Sequence, residues 1–314
     1  MALTSISNVT STTQFIPEEI AAGIIKDVRH SSAVMQLAKR VPMNTLEKTY
    51  NKRVSGPGAY WVDDLERKTA DKAAWDQFHM FAKELAVIVP VKERDFIGNP
   101  LDVWAEIKED IVESFAIAFD SAALFGTSSP YNTDILQQIA IAQNFVVEGT
   151  GEDLADDISL AMGAVEAHNY DPNGYLSLRT IKARLRGLRA TGGEPLFQQN
   201  LKEGTGYSVY GQNAAFYTDA ASWQDNVTAI LGDWSTVHYG VPQGISYKML
   251  TEATLTTVTD GSGNPLSLAE LDMVALRATM FIGFRPTKAD ALAALVETGF
   301  SSTPGTPDTT IATP

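Results

Sequence analysis

The stretch from Asn99 to Thr127 constrains the fold most strongly, because it predicts a single long amphipathic helix. Asn99 and Pro100 fit the N-cap and the first helical position, and Gly126 fits a left-handed end. A helix of about 25 residues would span roughly 37 Å. Its predicted buried face consists of apolar residues at helical spacing: Trp104, Ile107, Ile111, Phe115, Ala118, Phe119 and Ala122. The chain therefore needs a core long enough to cover this face.

The composition excludes several classes of protein. The 314 residues, 44% of them apolar, can build one large domain or two ordinary ones. A formal net charge of −14 argues against a protein that grips nucleic acid through phosphates. The chain has no cysteine, which excludes disulfides, thiolate nucleophiles and cysteine-ligated metals. Without a long apolar run or a signal-peptide pattern, it predicts no membrane span and no secretion.

The segment from Asn44 to Asp76 is polar and charged and cannot bury a core of its own. Strand-like pieces at 45–50 and 59–62 flank a Gly-Pro-Gly turn, and the apolar run at 78–91 predicts a strand. Two interpretations remain open: a disordered insertion, or a long projecting hairpin that packs on another subunit. The candidate inter-subunit residues are charged side chains of this segment: Lys48, Lys52, Arg53, Asp63, Asp64, Glu66, Arg67 and Lys68.

The remaining pattern predicts a mixed α+β fold between an N-terminal arm and a polar C-terminal tail. Helices are predicted at 17–28, 32–39, 134–144, 154–168, 177–188 and 288–297. Strands are predicted at 204–211, 214–217, 237–239, 245–250 and 271–284, with a hairpin turn at 260–264. Residues 1–15 and 300–314 are predicted to lack a core of their own.

Candidate catalytic chemistry is sparse. The four histidines are far apart, and none has a partner at metal-ligand spacing. Asp156 and Asp157 could form a carboxylate pair for metal or acid–base chemistry, but their place in the first turn of a predicted helix favours a helix-dipole role. The basic residues from Arg179 to Arg189 could contact phosphate, although an interface or solvated face fits better. We predict no catalytic, cofactor or metal site and no enzyme.

Several motifs, taken in order, resemble those of tailed-phage major capsid proteins of the Hong Kong 97 type. Each motif is loose, but the ordered set covers roughly residues 15–297. The matching stretches are Phe15–Met43, the AYWVDD segment at 59–64, Phe78–Thr127, the LGDWS segment at 231–235, and the RATMFIGFRP segment at 277–286.

The resemblance implies a Hong Kong 97-like capsid fold made of six segments. These are an N-terminal arm with short helices (1–43), an extended hairpin loop and strand (44–92), a peripheral domain with a long spine helix (93–130), an axial domain (131–232), further peripheral strands (233–287), and an axial-domain end with a disordered tail (288–314). We expect no cofactor.

The implied function is that of a major capsid protein. Such a protein self-assembles into the pentamers and hexamers of an icosahedral shell around phage double-stranded DNA. The expected partners are other copies of the chain, a separate scaffolding protein, a portal and, as a further candidate, a decoration protein. DNA would be packaged without sequence-specific binding and no membrane would be involved. The expected location is the virion, after assembly in the host bacterial cytoplasm.

Two departures from the family pattern and two alternatives accompany this interpretation. The chain begins almost directly at the arm, which predicts a separate scaffold or a mature form. The stretch from Leu271 to Leu276 lacks the Glu that promotes Lys–Asn cross-links in some members, so we expect no covalent cross-linking, although Lys48 and Lys52 are available donors. The alternatives are an encapsulin-type nanocompartment shell and a soluble α+β hydrolase with a polar-lined pocket.

Overall fold

A computed structural model describes residues 32–59, 61–62, 67–68, 72, 74–94, 100–188, 208–217, 219–224, 226–259 and 265–300. Within these ranges, only the backbone is described at 52–55, 74, 100–106, 208 and 259. The predicted arm, the helix at 17–28 and residues 301–314 of the tail lie outside the described residues. No described helix is long and apolar enough to cross a membrane.

The described chain is a mixture of helices and long strands, which confirms the predicted α+β class. The helices are α1 (Ala33–Leu37), α2 (Pro100–Phe125), α3 (Ile135–Ala142), α4 (Leu154–Glu166) and α5 (Ile181–Gly187). The strands are β1 (Lys39–Arg40), β2 (Glu47–Ser55), β3 (Ala74–Lys92), β4 (Phe145–Val147), β5 (Gly174–Leu178), β6 (Ser208–Val209), β7 (Gln212–Tyr217), β8 (Val227–Gly232), β9 (Val237–Leu250), β10 (Thr254–Thr259), β11 (Pro265–Ser267), β12 (Met273–Pro286) and β13 (Leu292–Val296).

A five-stranded sheet in the order β1-β9-β12-β3-β2 carries the long helix α2 on one face. Alternate residues of β12 point towards α2, as expected for a strand with one covered face. The Phe119 ring meets the Phe284 ring edge-on, with centroids 5.9 Å apart. The opposite face carries polar side chains along its middle, and the β10–β11 hairpin packs around Ala275 at one end. The antiparallel pairing of β10 with β11 agrees with the hairpin predicted here, while residues 260–264 of the predicted turn lie outside the described residues.

The buried face predicted for the long helix is largely confirmed. Ile111, Phe115, Phe119 and Ala122 are buried, while Ile107 and Ala118 are half-buried. The Trp104 side chain and the predicted N-cap Asn99 lie outside the described part. Gly126 has a φ of +68° and ends the helix in the predicted left-handed conformation.

A six-stranded sheet in the order β4-β13-β8-β5-β7-β6 is buried on both faces. Along β13, Leu292 and Ala294 join the core shared with α2, whereas Ala293 and Leu295 face α4 and α5. The helix predicted at 288–297 is therefore wrong. Its run of small apolar residues is a central strand, and a short sequence buried on both sides lacks the alternation that distinguishes a strand from a helix.

Three further boundaries differ from the sequence prediction. The predicted helix at 177–188 starts only at Ile181, because Ser177 and Leu178 end β5. The strand-like piece at 59–62 is not a strand at its described residues. The two pieces predicted at 237–239 and 245–250 form one strand, β9, whose pairing with β12 shifts register near Pro242. Such an irregularity accommodates the missing proline N–H inside a sheet.

The LGDWS segment joins the two sheets through specific close contacts. A Cβ on Gly232 would lie 2.3 Å from the Ala291 carbonyl oxygen, so only glycine fits beside β13. The next residue, Asp233, accepts a hydrogen bond from the Ser235 N–H at 3.0 Å and caps a short turn. Trp234 is fully buried, and its Nε1 donates to the Gly174 carbonyl at 3.2 Å. These contacts fix the position of the connection between β8 and β9.

Candidate inter-subunit surface

Strand β3 is paired differently along its two halves. Its 19 residues extend about 60 Å at roughly 3.3 Å per residue. Residues 82–92 pair with β12, whereas residues 74–81 pair with β2. The outer half of β3 and β2 therefore form a two-stranded ribbon that continues beyond the part of the sheet where β3 pairs with β12. Of the two interpretations that the sequence left open, this pairing supports the projecting hairpin.

The chain reaches the ribbon by crossing the outer face of the sheet above a pair of glycines. Gly240 of β9 and Gly283 of β12 are direct neighbours in the register. A Cβ on Gly240 would lie 2.4 Å from the Met43 Sδ, and one on Gly283 would lie 3.1 Å from the same atom. Met43 and Met80 are buried in the space that the glycines leave. The glycine pair thus provides the room for the crossing.

The base of the ribbon is held by a stack of side chains. The Lys48 Nζ donates to the Pro42 carbonyl at 2.5 Å and lies 5.1 Å from the centre of the Tyr50 ring. Tyr50 stacks on Phe78 with ring centroids 5.1 Å apart, and Phe78 stacks on His238 at 6.1 Å. Burial raises the pKa of the Tyr50 hydroxyl and lowers the pKa of His238. These contacts anchor the ribbon to the sheet.

Beyond this base, the ribbon and the residues that follow β2 expose aromatic surface. The Trp75 side chain is 66% exposed and Trp61 is 101% exposed. A two-stranded ribbon is marginal by itself in water, and tryptophan is among the residues enriched at protein interfaces. The ribbon therefore has the character of a contact surface that needs a partner.

The predicted inter-subunit residues divide into four groups. Lys48 is half-buried at the base of the ribbon and contacts its own chain. Lys52 and Arg53 lie in β2, in register with Asp76 and Trp75, with only their backbone described. The others are placed as follows: Arg67 and Lys68 are exposed, and Asp63, Asp64 and Glu66 lie outside the described residues.

The sequence prediction did not single out the exposed aromatic residues of this surface. Trp61 and Trp75 stand in an otherwise polar and charged stretch. That combination was the available signal, because tryptophan in a polar segment without its own core is typical of a contact surface.

The carboxylates and basic residues weighed as catalytic candidates have structural roles. Asp157 is buried and accepts hydrogen bonds from the Gly149 and Gly151 N–H groups at 2.8 and 2.7 Å. Arg184 pairs with Glu148, which also accepts a hydrogen bond from the Thr228 hydroxyl at 2.9 Å. Among the described residues, no group of three or more potential ligands could hold a metal ion.

Two sheets around a long helix, with a projecting ribbon that exposes tryptophan, define a subunit built for contact with further protein. A family model described as the phage capsid family matches residues 13–296. The chain is 31% identical over 280 residues to the major capsid protein of Staphylococcus phage 80alpha, with 88% of this chain and 83% of that protein covered.

Solved structures have the same fold. A chain from Microbacterium phage Oxtober96 is 30% identical and superposes with a TM-score of 0.72, covering 85% of this chain and 91% of that one. A chain from the capsid of an empty GTA particle, computed with C5 symmetry, has a TM-score of 0.62 at 14% identity and covers 85% and 90% of the two chains. The second likeness concerns the fold alone. The chain belongs to the phage capsid family and is a phage coat protein.

Proposed function

We propose that this coat protein is the major capsid protein of a tailed phage and forms the pentamers and hexamers of an icosahedral shell around double-stranded DNA. The observation that carries the proposal is the β2–β3 ribbon, which exposes Trp75 beyond the edge of its own sheet. A neighbouring subunit would supply the surface that buries it. Contacts of this heterologous kind close into rings.

The two sheets support an assignment to the two domains of the Hong Kong 97-like fold. The five-stranded sheet, α2 and the ribbon come from residues 39–125 and 237–286, and fit the peripheral domain with its spine helix and extended loop. The six-stranded sheet comes from residues 145–232 and 292–296, and fits an axial domain near the capsomer centre.

The net charge of −14 agrees with a shell that encloses DNA without gripping it. Further proposed partners are a separate scaffolding protein, a portal and a decoration protein. The shell would assemble in the host cytoplasm and would form the capsid of the released virion. An encapsulin-type shell would package protein cargo instead, so nuclease-protected DNA in particles from infected cells separates the two proposals.

The ribbon provides a direct test of the proposed assembly. Trp75→Ala removes an exposed ring and should leave the subunit folded, because the side chain is not part of the core. Sedimentation velocity should then show subunits or small oligomers where the unmodified protein gives shells, with an unchanged circular dichroism spectrum. Leu271→Ala, at the opposite end of the sheet and also exposed, is the matched control and should assemble normally. Normal shells from Trp75→Ala would contradict the proposed role of the ribbon.

A further inference from the structure

His238 lies at the junction between the ribbon and the five-stranded sheet. Its ring is half-buried and stacks on Phe78 of the ribbon, with centroids 6.1 Å apart and the two ring planes 24° from parallel. Phe78 in turn stacks on Tyr50 from the other strand of the ribbon. His238 is therefore the sheet end of the stack that joins the ribbon to the sheet.

One nitrogen of the His238 ring lacks an acceptor for a proton. Nδ1 is buried and has no hydrogen-bond partner among the described residues. A neutral imidazole carries one N–H group, whereas an imidazolium carries an N–H on both nitrogens. Protonation of the stacked ring would therefore place a donor on Nδ1 without a partner, and an unsatisfied buried donor is unfavourable.

The charged residues beside His238 in the sheet are cations. Lys39 of β1 and Arg285 of β12 are its direct partners in the two flanking strands. Residues in direct register project from the same face of a sheet, so the two cations flank the imidazole in one row. Burial and the charge of Lys39 lower the pKa of His238 below its ordinary value, and a backbone hydrogen bond at Ser235 acts in the opposite direction.

The groups that the stack brings to His238 are uncharged or cationic. Phe78 is apolar, and its centroid at 6.1 Å lies at the limit of a cation–π attraction. Burial raises the pKa of the Tyr50 hydroxyl, which therefore stays neutral. The next group along the stack is the Lys48 ammonium, 5.1 Å from the centre of the Tyr50 ring. A positive charge on His238 is thus disfavoured while the ribbon base is closed.

We propose that His238 is a pH-sensitive switch of the β2–β3 ribbon: the neutral ring holds the ribbon base on the sheet, and protonation of the ring releases it. When Phe78 and Tyr50 move away, water reaches the imidazolium and replaces the missing acceptor, so the open arrangement binds the proton more tightly. The closed base is fully favoured above about pH 6.5 and loses this advantage as the pH falls below that value.

The switch is a property of a single subunit and goes beyond the proposed function. Its consequence for assembly rests on the proposed function, because the ribbon is the proposed contact with a neighbouring copy. A ribbon released from its sheet would no longer present Trp75 in a fixed orientation. The contacts between subunits should therefore weaken in mild acid.

Hydrogen exchange measured by mass spectrometry tests the switch in the full-length protein, kept below its assembly concentration. Rates are corrected for the pH dependence of intrinsic exchange. Between about pH 7.5 and about pH 5, where histidine titrates, the amides of residues 47–55 and 74–81 should lose protection by up to about tenfold per pH unit. The amides of β13 should keep their protection, because the six-stranded sheet does not contain His238.

Three variants identify the titrating group. His238→Phe keeps an aromatic ring in the stack but cannot bind a proton, so the ribbon should stay protected throughout. His79→Phe is the matched control on the ribbon, because His79 is exposed and lies 3.4 Å from the Glu47 carboxylate; it should retain the pH dependence. Lys39→Glu places a carboxylate beside the His238 ring and should move the loss of protection to lower pH.

The outcomes separate the switch from the proposed function. Ribbon protection that does not change with pH would overturn the switch, and so would an equal loss of protection in the unmodified protein and in His238→Phe. If His238→Phe fails to fold, His238→Gln, which is also neutral at every pH, provides the same comparison. An equal loss of protection in β13 would indicate global unfolding and would contradict the switch. These results leave the shell function intact, whereas a wild-type chain that forms no shells contradicts the proposed function alone.

Discussion

Ser32 and Asp120, 88 residues apart, form a buried hydrogen bond in which the Ser32 hydroxyl donates to the Asp120 Oδ1 at 2.5 Å. The same carboxyl accepts hydrogen bonds from the Ala33 N–H at 2.7 Å and from the Val34 N–H at 3.3 Å. Asp120 is a buried residue near the C-terminal end of α2. Its carboxyl caps the start of α1. This contact attaches the chain that follows the N-terminal arm to the long helix.

Asp120→Ala should destabilise the subunit by about 2–4 kcal/mol, because it leaves buried donors of α1 without an acceptor. Urea unfolding followed by circular dichroism measures the change. Asp110→Ala, an exposed position on the same helix, is the control and should stay within about 0.5 kcal/mol of the unmodified protein. Equal stability of the two variants would show that the capping contact contributes nothing.

Stability should also depend on pH through the same carboxyl. Burial raises the pKa of Asp120 to about 7, against the opposing effect of its three hydrogen bonds. The pKa of the same carboxyl in an unfolded chain is about 3.9. The folded state therefore binds this proton more tightly. The resulting stabilisation is complete below about pH 4 and is lost as the pH rises through about 7.

The free energy of unfolding should accordingly fall between about pH 4 and about pH 7 in the unmodified protein. Asp120→Asn keeps the shape of the side chain but cannot titrate, so its unfolding free energy should change less over this range. A series of urea titrations at different pH values provides the comparison. Identical slopes for both proteins would exclude Asp120 as the titrating group.

Gly232→Ala should prevent stable folding, because the new Cβ would meet the backbone of β13 and no flexible side chain could move away. The φ of Gly232 is +141°, which adds backbone strain for any other residue. Gly163→Ala is the control, since a Cβ there has open space within helix α4; it should stabilise the protein by about 0.5–1 kcal/mol. Soluble expression and thermal unfolding distinguish the two.

Ile111→Asp or Phe115→Asp should abolish soluble folding itself and not merely assembly. Both side chains are 2% exposed in the core beneath α2, and a buried carboxylate without a partner is strongly destabilising. Ser114→Asp adds the same charge on the exposed face of the helix and should remain soluble. Folded soluble monomers from either core variant would show that the buried face of α2 is assigned wrongly.

The long periodic elements of this fold could be predicted from the sequence, and the short buried ones could not. Helix α2 has many turns, and strand β12 has many residues that alternate between its two faces. Their hydrophobic patterns are therefore unambiguous. The segment at 292–296 is buried on both sides and has no alternation, so it was predicted as a helix. Only the sheet that surrounds it makes it a strand.

The candidate surface was predicted in part for a related reason. Charge and the lack of apolar residues identified the projecting segment. They did not indicate which of its side chains would contact residues of the same chain. Lys48 is held by Pro42 at the base of the ribbon, a contact that depends on the crossing above Gly240 and Gly283. The Ser32–Asp120 contact is equally invisible in sequence, because nothing local links the two residues.

Electron cryomicroscopy of the purified full-length protein tests the central claim most directly. The account predicts closed shells, or under weaker assembly conditions rings of five and six copies, in which each β2–β3 ribbon is buried against a neighbouring subunit. Discrete small particles, with no shells, sheets or rings under any assembly condition, would contradict it.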